Sequence, residues 1–256
     1  MILRRIAEHL KAQNWTAVGL DLAIVIVGVF IGTQVSNWNQ SRIEKRETAR
    51  LLGELEPALQ GFADYFDTAG PYYATTRDWS DTAFAGWRGD PAVSDEQFVI
   101  AAYQASQIYT FGVDGDIWAS IFGGDRLRDI DNVDVRRGLT VLMTFNYEGV
   151  DLSAIATPYR QQVRSVIPED VQDAIRAKCG DQQVGRRLLE LRLPESCDLD
   201  LPDSRFAAAA ASLRAHPELV NELRWHRAAI ASFLDNLAVL DRETRALQKA
   251  IAHSDG

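Results

Sequence analysis

The chain has little of what metal chemistry needs: two cysteines and four histidines in 256 residues, with the histidines scattered at positions 9, 216, 226 and 253. Neither cysteine has a second Cys or His at ligand spacing, so no metal site and no metal cofactor is expected. Also missing are a G-x-S-x-G elbow, a Walker A loop, a dinucleotide fingerprint and an H-E-x-x-H helix. Asp129, Asp131 and Asp134 begin like a calcium loop, but its sixth position is Asp134 where Gly is needed and its twelfth is Thr140 where Glu is needed. They read as a solvated acidic loop. Glu222 and His226 stand one helical turn apart, the spacing of an acid-base pair, without a nucleophile or an oxyanion site beside them. No catalytic residue and no cofactor is therefore assigned, and the expectation is a protein that is not an enzyme.

Basic charge is short as well. The net charge is −9; residues 1–53 hold seven Lys/Arg against four Asp/Glu, a local +3 that leaves −12 on the remaining 203 residues. An acidic body is repelled by nucleic acid and by anionic lipid, which argues against both as ligands of that domain, and no basic stripe with interleaved aromatics restores a nucleic-acid partner. The chain lacks alternating strand patterns longer than four residues, and it lacks internal repeats. An all-α fold follows, with about 200 residues available to bury one core.

Long apolar runs are limited to one. Leu20, Leu22, Ile24, Val25, Ile26, Val27, Val29, Phe30, Ile31 and Val35 lie between Trp15 and Trp38. At roughly −0.3 to −0.6 kcal/mol each they outweigh a cost of up to about 3 kcal/mol for Asp21, which sits close to one end where that cost falls. Trp15 to Trp38 spans roughly 35 Å as a helix, enough for a hydrocarbon core of about 30 Å with both tryptophans as interfacial anchors. Residues 15–39 are thus expected to form one transmembrane helix behind a basic amphipathic lead-in, residues 1–14. Because no A-x-A-like site follows the run, an uncleaved anchor is favoured over a signal peptide. The lipid bilayer is the first partner this implies. Three basic residues before the run (Arg4, Arg5, Lys11) and four after it (Arg42, Lys45, Arg46, Arg50) leave the orientation open.

This helix has a face. At 100° per residue Asp21, Gly28, Gly32 and Asn39 fall on one line, with Val25 and Val35 beside it. Gly28 and Gly32 form a G-x-x-x-G pair, which permits close approach of a second membrane helix, either another copy of this chain or a different membrane protein.

Residues 40–256 read as an antiparallel helical bundle with long first and last helices. Ser41 and Glu44 have capping-box spacing, marking either a new helix or a continuation of the first. Leu52, Leu55, Leu59, Phe62 and Phe66 then form a seam at spacings of 3 and 4, and Gly70-Pro71 marks its expected break. At the other end Leu219, Leu223, His226, Ile230, Phe233, Leu237, Leu240, Thr244, Leu247 and Ile251 alternate by 4 and 3 behind Pro217. That helix runs about 48 Å, and paired antiparallel with the first it returns the chain end toward the membrane. Between them, helices are expected over 95–108 behind Ser94, over 133–166 in one or two pieces, and over 169–178 behind Pro168.

Twelve of the 23 aromatics fall between Phe66 and Phe122. Tyr72, Tyr73, Trp79, Trp87 and Trp118 are the candidates for a ligand pocket or an interface, with core packing the competing reading. Cys179 and Cys197 stand eighteen positions apart. In an oxidising compartment they close a loop worth about 3 kcal/mol; in a reducing one they are two separate thiols.

The stretch Leu20 to Gln40, LDLAIVIVGVFIGTQVSNWNQ, resembles a family of uncharacterised bacterial single-span membrane proteins. These share an acidic residue, an apolar run with a glycine, then Gln-x-x-Asn-Trp-Asn. The matching positions are Asp21, Gly28, Gln34, Asn37, Trp38 and Asn39, with Asp21 where Glu is more usual. A second likeness covers Trp118 to Tyr147, where Gly123-Gly124 replaces the common Ser-Gly. The resemblance implies a helical domain after the span, in the bacterial inner membrane, and carries no activity or catalytic residue. With the cysteine pair it points to a periplasmic domain. The leading expectation is an accessory or scaffold subunit docked on a membrane protein complex. A sensory or ligand-binding bundle and a hydrolase of unrecognised site are the alternatives.

Overall fold

The structure is a computed structural model describing residues 15–109, 127, 130–185 and 190–254; the side chains of residues 15–18, 21 and 254 lie outside that description. The described residues form seven α-helices: α1 (Trp15–Trp87), α2 (Asp95–Gln104), α3 (Val133–Thr144), α4 (Pro158–Val166), α5 (Glu169–Cys179), α6 (Asp203–Arg214) and α7 (Glu218–Ser254). Two 3-10 turns, Tyr147–Val150 and Leu152–Ile155, connect α3 to α4. Among the described residues strand is confined to a minimal antiparallel pair, β1 (Gln182–Gln183) and β2 (Leu191–Arg192). The protein is all-α.

Two compact units divide the chain after Gly53. The first, through residue 53, contains the apolar run. Its large side chains from Leu20 to Val35 are each 53–62 % exposed, and the helix here is long and apolar enough to cross a membrane. No helix starts at Ser41. Helix α1 passes through it, and Gln40 Nε2 donates to Glu44 Oε1 at 2.9 Å.

The expected break at Gly70-Pro71 does not occur, for α1 continues to Trp87 with both Pro57 and Pro71 inside it. A proline costs its own N–H bond and frees the carbonyl four residues earlier. Both prolines lie on the exposed side, so the carbonyls of Gly53 and Asp67 can be hydrated. Opposite them runs a continuous buried seam: Leu55, Leu59, Ala63, Phe66, Ala69, Tyr73, Thr76, Ser80 and Ala83.

Helix α7 packs antiparallel on the part of α1 in the second unit. Asp67 pairs with Arg245 at 2.6 Å, Tyr73 meets Phe233 ring to ring at 5.5 Å, and Asp81 pairs with Arg227 at 2.5 Å, so rising numbers on one helix meet falling numbers on the other. The expected α7 seam is buried from Leu219 through Leu247, with His226 and Thr244 fully enclosed; Ile251 is half-buried. Exposed ion pairs of this kind fix register more than they stabilise.

The shorter helices follow local chemistry. Ser94 and Gln97 form a full capping box at the start of α2. The helix ends at Gln104, four residues before the expected limit, because the Tyr109 amide leaves to bond the Tyr73 hydroxyl and Arg160 takes the Ser106 carbonyl. The expected helical stretch 133–166 is split. Asn146 and Asp151 accept from the backbone two residues on and cap the two 3-10 turns, and Thr157-Pro158 starts α4. Asn132 caps α3 through the amides of Asp134 and Val135. The acidic spacing at 131–134 is thus a helix entry, with Asp134 paired to Arg137; Asp129 lies outside the described residues.

Candidate functional site

The first candidate site is the small-residue stripe of α1. Val25, Gly28, Gly32 and Asn39 are all exposed, and a Cβ added at Gly28 or Gly32 would meet nothing within 4 Å. Thr33, between the two stripe glycines and Asn39, turns its hydroxyl inward to the Phe30 carbonyl at 2.8 Å, which removes one polar group from the helix surface. Trp38 is exposed, with the Arg42 guanidinium 4.7 Å over its ring. The side chains of Trp15 and Asp21 lie outside the described residues.

The aromatic candidates have gone mostly into the core. Tyr72 and Tyr73 are 1 % and 0 % exposed, and Trp79 is 9 %. Tyr72 donates its hydroxyl proton to Asp181 Oδ1 at 2.8 Å, Trp79 Nε1 donates to the Pro194 carbonyl at 2.8 Å, and half-buried Trp87 donates to the Leu213 carbonyl at 3.1 Å. Trp87 also stands edge-on to Phe98 at 5.1 Å. Trp118, Phe111, Phe122 and the glycines at 112, 115, 123 and 124 lie outside the described residues. Tyr72 and Trp79 sit in the core and at the edge of a groove. Each sends one polar atom across to the segment that follows α5.

That segment is closed by a disulfide between Cys179 and Cys197, whose Cα atoms are 5.8 Å apart, within the range the bond requires. Gln104 Nε2 donates to the Cys179 carbonyl at 2.7 Å in a buried position. Between this closed loop and α1 runs a groove of about 660 Å³ lined by residues that include Tyr72, Trp79, Thr75, Asp78, Glu190 and Glu195. Its walls are acidic and rich in hydroxyls. One of its carboxylates, Asp67, is already engaged by Arg245.

A partly buried polar cluster joins α2, α4 and the end of α5. Arg160 Nη1 reaches the Ser106 carbonyl at 2.5 Å; Arg164 bonds Ser106 Oγ at 3.2 Å and Gln107 Oε1 at 2.9 Å, and its guanidinium lies 4.6 Å over the Tyr103 ring. Burial raises the Asp181 carboxyl above the usual carboxylate range, an effect opposed by the Tyr72 hydroxyl and by both arginines. Burial also pushes the Tyr72 hydroxyl up, with Asp181 adding to it. Both arginines are spent on the C-terminal carbonyl and side chains that follow α2, so the cluster acts as a cap for that helix.

His226 is not paired with Glu222. Its Nδ1 lies 2.7 Å from Thr157 Oγ1, and its Nε2 is buried without a hydrogen-bond partner. Burial, with the nearby Arg160 charge second, lowers its pKa to about 4; the Ala105 backbone offsets part of this without meeting hydrogen-bond geometry. The imidazole is neutral at pH 7 and is part of the core. Among the described residues no three His, Cys, Asp or Glu side chains cluster as metal ligands.

No family model, no curated protein and no solved structure matches this chain.

The cluster of Arg160, Arg164, Asp181 and Gln104 was not foreseen from the sequence. Its members come from three segments and carry no motif. The one available cue was the i, i+4 spacing of Arg160 and Arg164 on a short amphipathic helix, which is indistinguishable from a solvated face.

Proposed function

We propose that the chain is a non-enzymatic accessory or scaffold subunit, held in the bacterial inner membrane by α1 and docked there on another membrane helix. The observation that carries this reading is the row of large apolar side chains from Leu20 to Val35, every one more than half exposed. In water such a row is a heavy liability; in lipid it is the expected surface. The stripe of Val25, Gly28, Gly32 and Asn39, continuing the line of Asp21, is the face proposed to meet the partner helix. Membership in the single-span bacterial family that the Leu20 to Gln40 stretch resembles belongs to the same reading.

The disulfide supports a periplasmic position for the second unit, since such bonds persist in oxidising compartments. Maleimide labelling of intact and lysed cells, with and without reductant, tests this. Free cysteines in freshly isolated membranes would overturn it.

Purification in gentle detergent tests the docking. A stoichiometric membrane protein, or a second copy, should accompany the wild type and be lost in a Gly28→Ile/Gly32→Ile variant. Unchanged association in that variant would refute the stripe as the contact. A second reading, a ligand-binding bundle, draws on the groove between α1 and the disulfide-closed loop; a small molecule retained by an otherwise isolated protein would favour it.

A further inference from the structure

Immediately beyond the apolar run, α1 carries Arg42, Lys45, Arg46 and Arg50 within twelve residues of Trp38. Because the helix is unbroken here, their directions follow from 100° per residue. Taking Arg42 as reference, Lys45 lies about 60° to one side, with Arg46 about 40° and Arg50 about 80° to the other. Trp38 lies about 40° from Arg42, on the same face, and the Arg42 guanidinium stacks on its ring at 4.7 Å. Glu44 points to the opposite side, where Gln40 holds it, and Glu47 lies beyond the Arg50 edge. The four cations thus form one stripe that begins at the exposed tryptophan.

Heights follow from the helical rise. With Trp38 at the edge of the hydrocarbon, Arg42 stands about 6 Å above it, Lys45 about 10 Å and Arg46 about 12 Å. The polar headgroup layer is about 5 to 8 Å thick on each side, and arginine and lysine stems bend their charges toward it. Arg50, at about 18 Å, is within two Debye lengths of the surface at physiological salt. The rest of the chain, residues 54–256, carries a net −12, so attraction to an anionic surface has to come from residues 1–53.

We propose that Arg42, Lys45 and Arg46, assisted by Arg50, bind the headgroups of anionic phospholipids in the leaflet where the apolar segment of α1 ends. The proposal rests on the membrane reading given above and adds a lipid class to it. A basic residue close to an anionic surface gains up to about fivefold in affinity, and three together, partly offset by Glu44 and Glu47, should enrich anionic lipid at least fivefold around the protein.

The test uses the full-length protein reconstituted into vesicles of phosphatidylcholine alone and into equimolar phosphatidylcholine and phosphatidylglycerol. Insertion is read by flotation after carbonate washing, and retained lipid by mass spectrometry after mild detergent extraction. The expected result is insertion into both vesicles and, from the mixed ones, a retained phosphatidylglycerol-to-phosphatidylcholine ratio at least fivefold above bulk. That enrichment should fall to near the bulk ratio in Arg42→Gln/Lys45→Gln/Arg46→Gln, and also at 1 M salt. Insertion with retained lipid at the bulk ratio, or equal enrichment in the triple variant, overturns the proposal while leaving the anchor intact. Failure to insert into either vesicle overturns the membrane reading itself. The three substituted side chains are all exposed, so the variant keeps its fold, as circular dichroism checks.

Discussion

Acidification below neutral pH should weaken this protein, and His226 is the reason. The ring is fully enclosed in α7, bonded at Nδ1 to Thr157 and without a partner at Nε2. Its folded-state pKa is lowered to about 4, first by burial and then by Arg160, whereas in the unfolded chain it stays near 6.5. Between those two values the unfolded state binds the extra proton, so stability is full above about pH 6.5 and declines as pH falls toward 4. At about 1.4 kcal/mol per pKa unit the whole effect is about 3 kcal/mol, of which about 2 kcal/mol is lost by pH 5. Urea unfolding of the detergent-solubilised protein, followed by far-ultraviolet circular dichroism between pH 7.5 and 5, measures it. The comparison is His226→Leu, which removes the titrating ring together with its orphaned nitrogen. This variant starts from a different stability, because Thr157 loses its partner, but its curve should be flatter by about 2 kcal/mol over the same range. Equal slopes in the two proteins would refute the reasoning, since every other titrating group is common to both.

Three further outcomes are expected. Gly86→Ala places a methyl 2.1 Å from Phe98 Cδ2 and should cost about 1 to 3 kcal/mol, whereas Gly61→Ala meets nothing within 4 Å and should be neutral or up to about 1 kcal/mol stabilising through helix propensity; paired thermal melts separate the two. Trp79→Phe keeps most of the ring but deletes the donor to the Pro194 carbonyl, and should cost about 1 to 3 kcal/mol by urea titration. Cys197→Ser, or reduction of the wild type, opens the loop closed at Cys179 and should lower stability by about 3 kcal/mol, with the two treatments giving the same change if the bond alone is responsible.

The long elements were readable because their information is local. The α7 seam repeats at 4 and 3 with apolar residues at eight of ten positions, and no interruption competes with it. At Pro71 the same logic misled. A proline is read as a stop because it removes a hydrogen bond, but whether that loss matters depends on which side of the helix faces water, and this is a property of the packed unit. The aromatic region was ambiguous for a related reason. Composition places Tyr72, Tyr73 and Trp79 near one another but does not reveal that Asp181, Pro194 and the Tyr109 amide would take their polar atoms. Those partners lie 36 to 115 residues away. The arginine cluster behind α2 was invisible for the same cause, with Arg160 and Arg164 reaching back more than fifty residues.

The antiparallel register of α1 and α7 has a consequence for synthesis. The α1 seam emerges from the ribosome early, yet its cover is made last: Asp67 waits for Arg245, 178 positions later. At elongation rates of about 5 to 20 residues per second, Leu59, Phe66 and Tyr73 stay uncovered by α7 for roughly ten seconds or more in each nascent chain. Molecules truncated before residue 218 would never cover them and would present a greasy, quality-control-prone strip in place of a finished core.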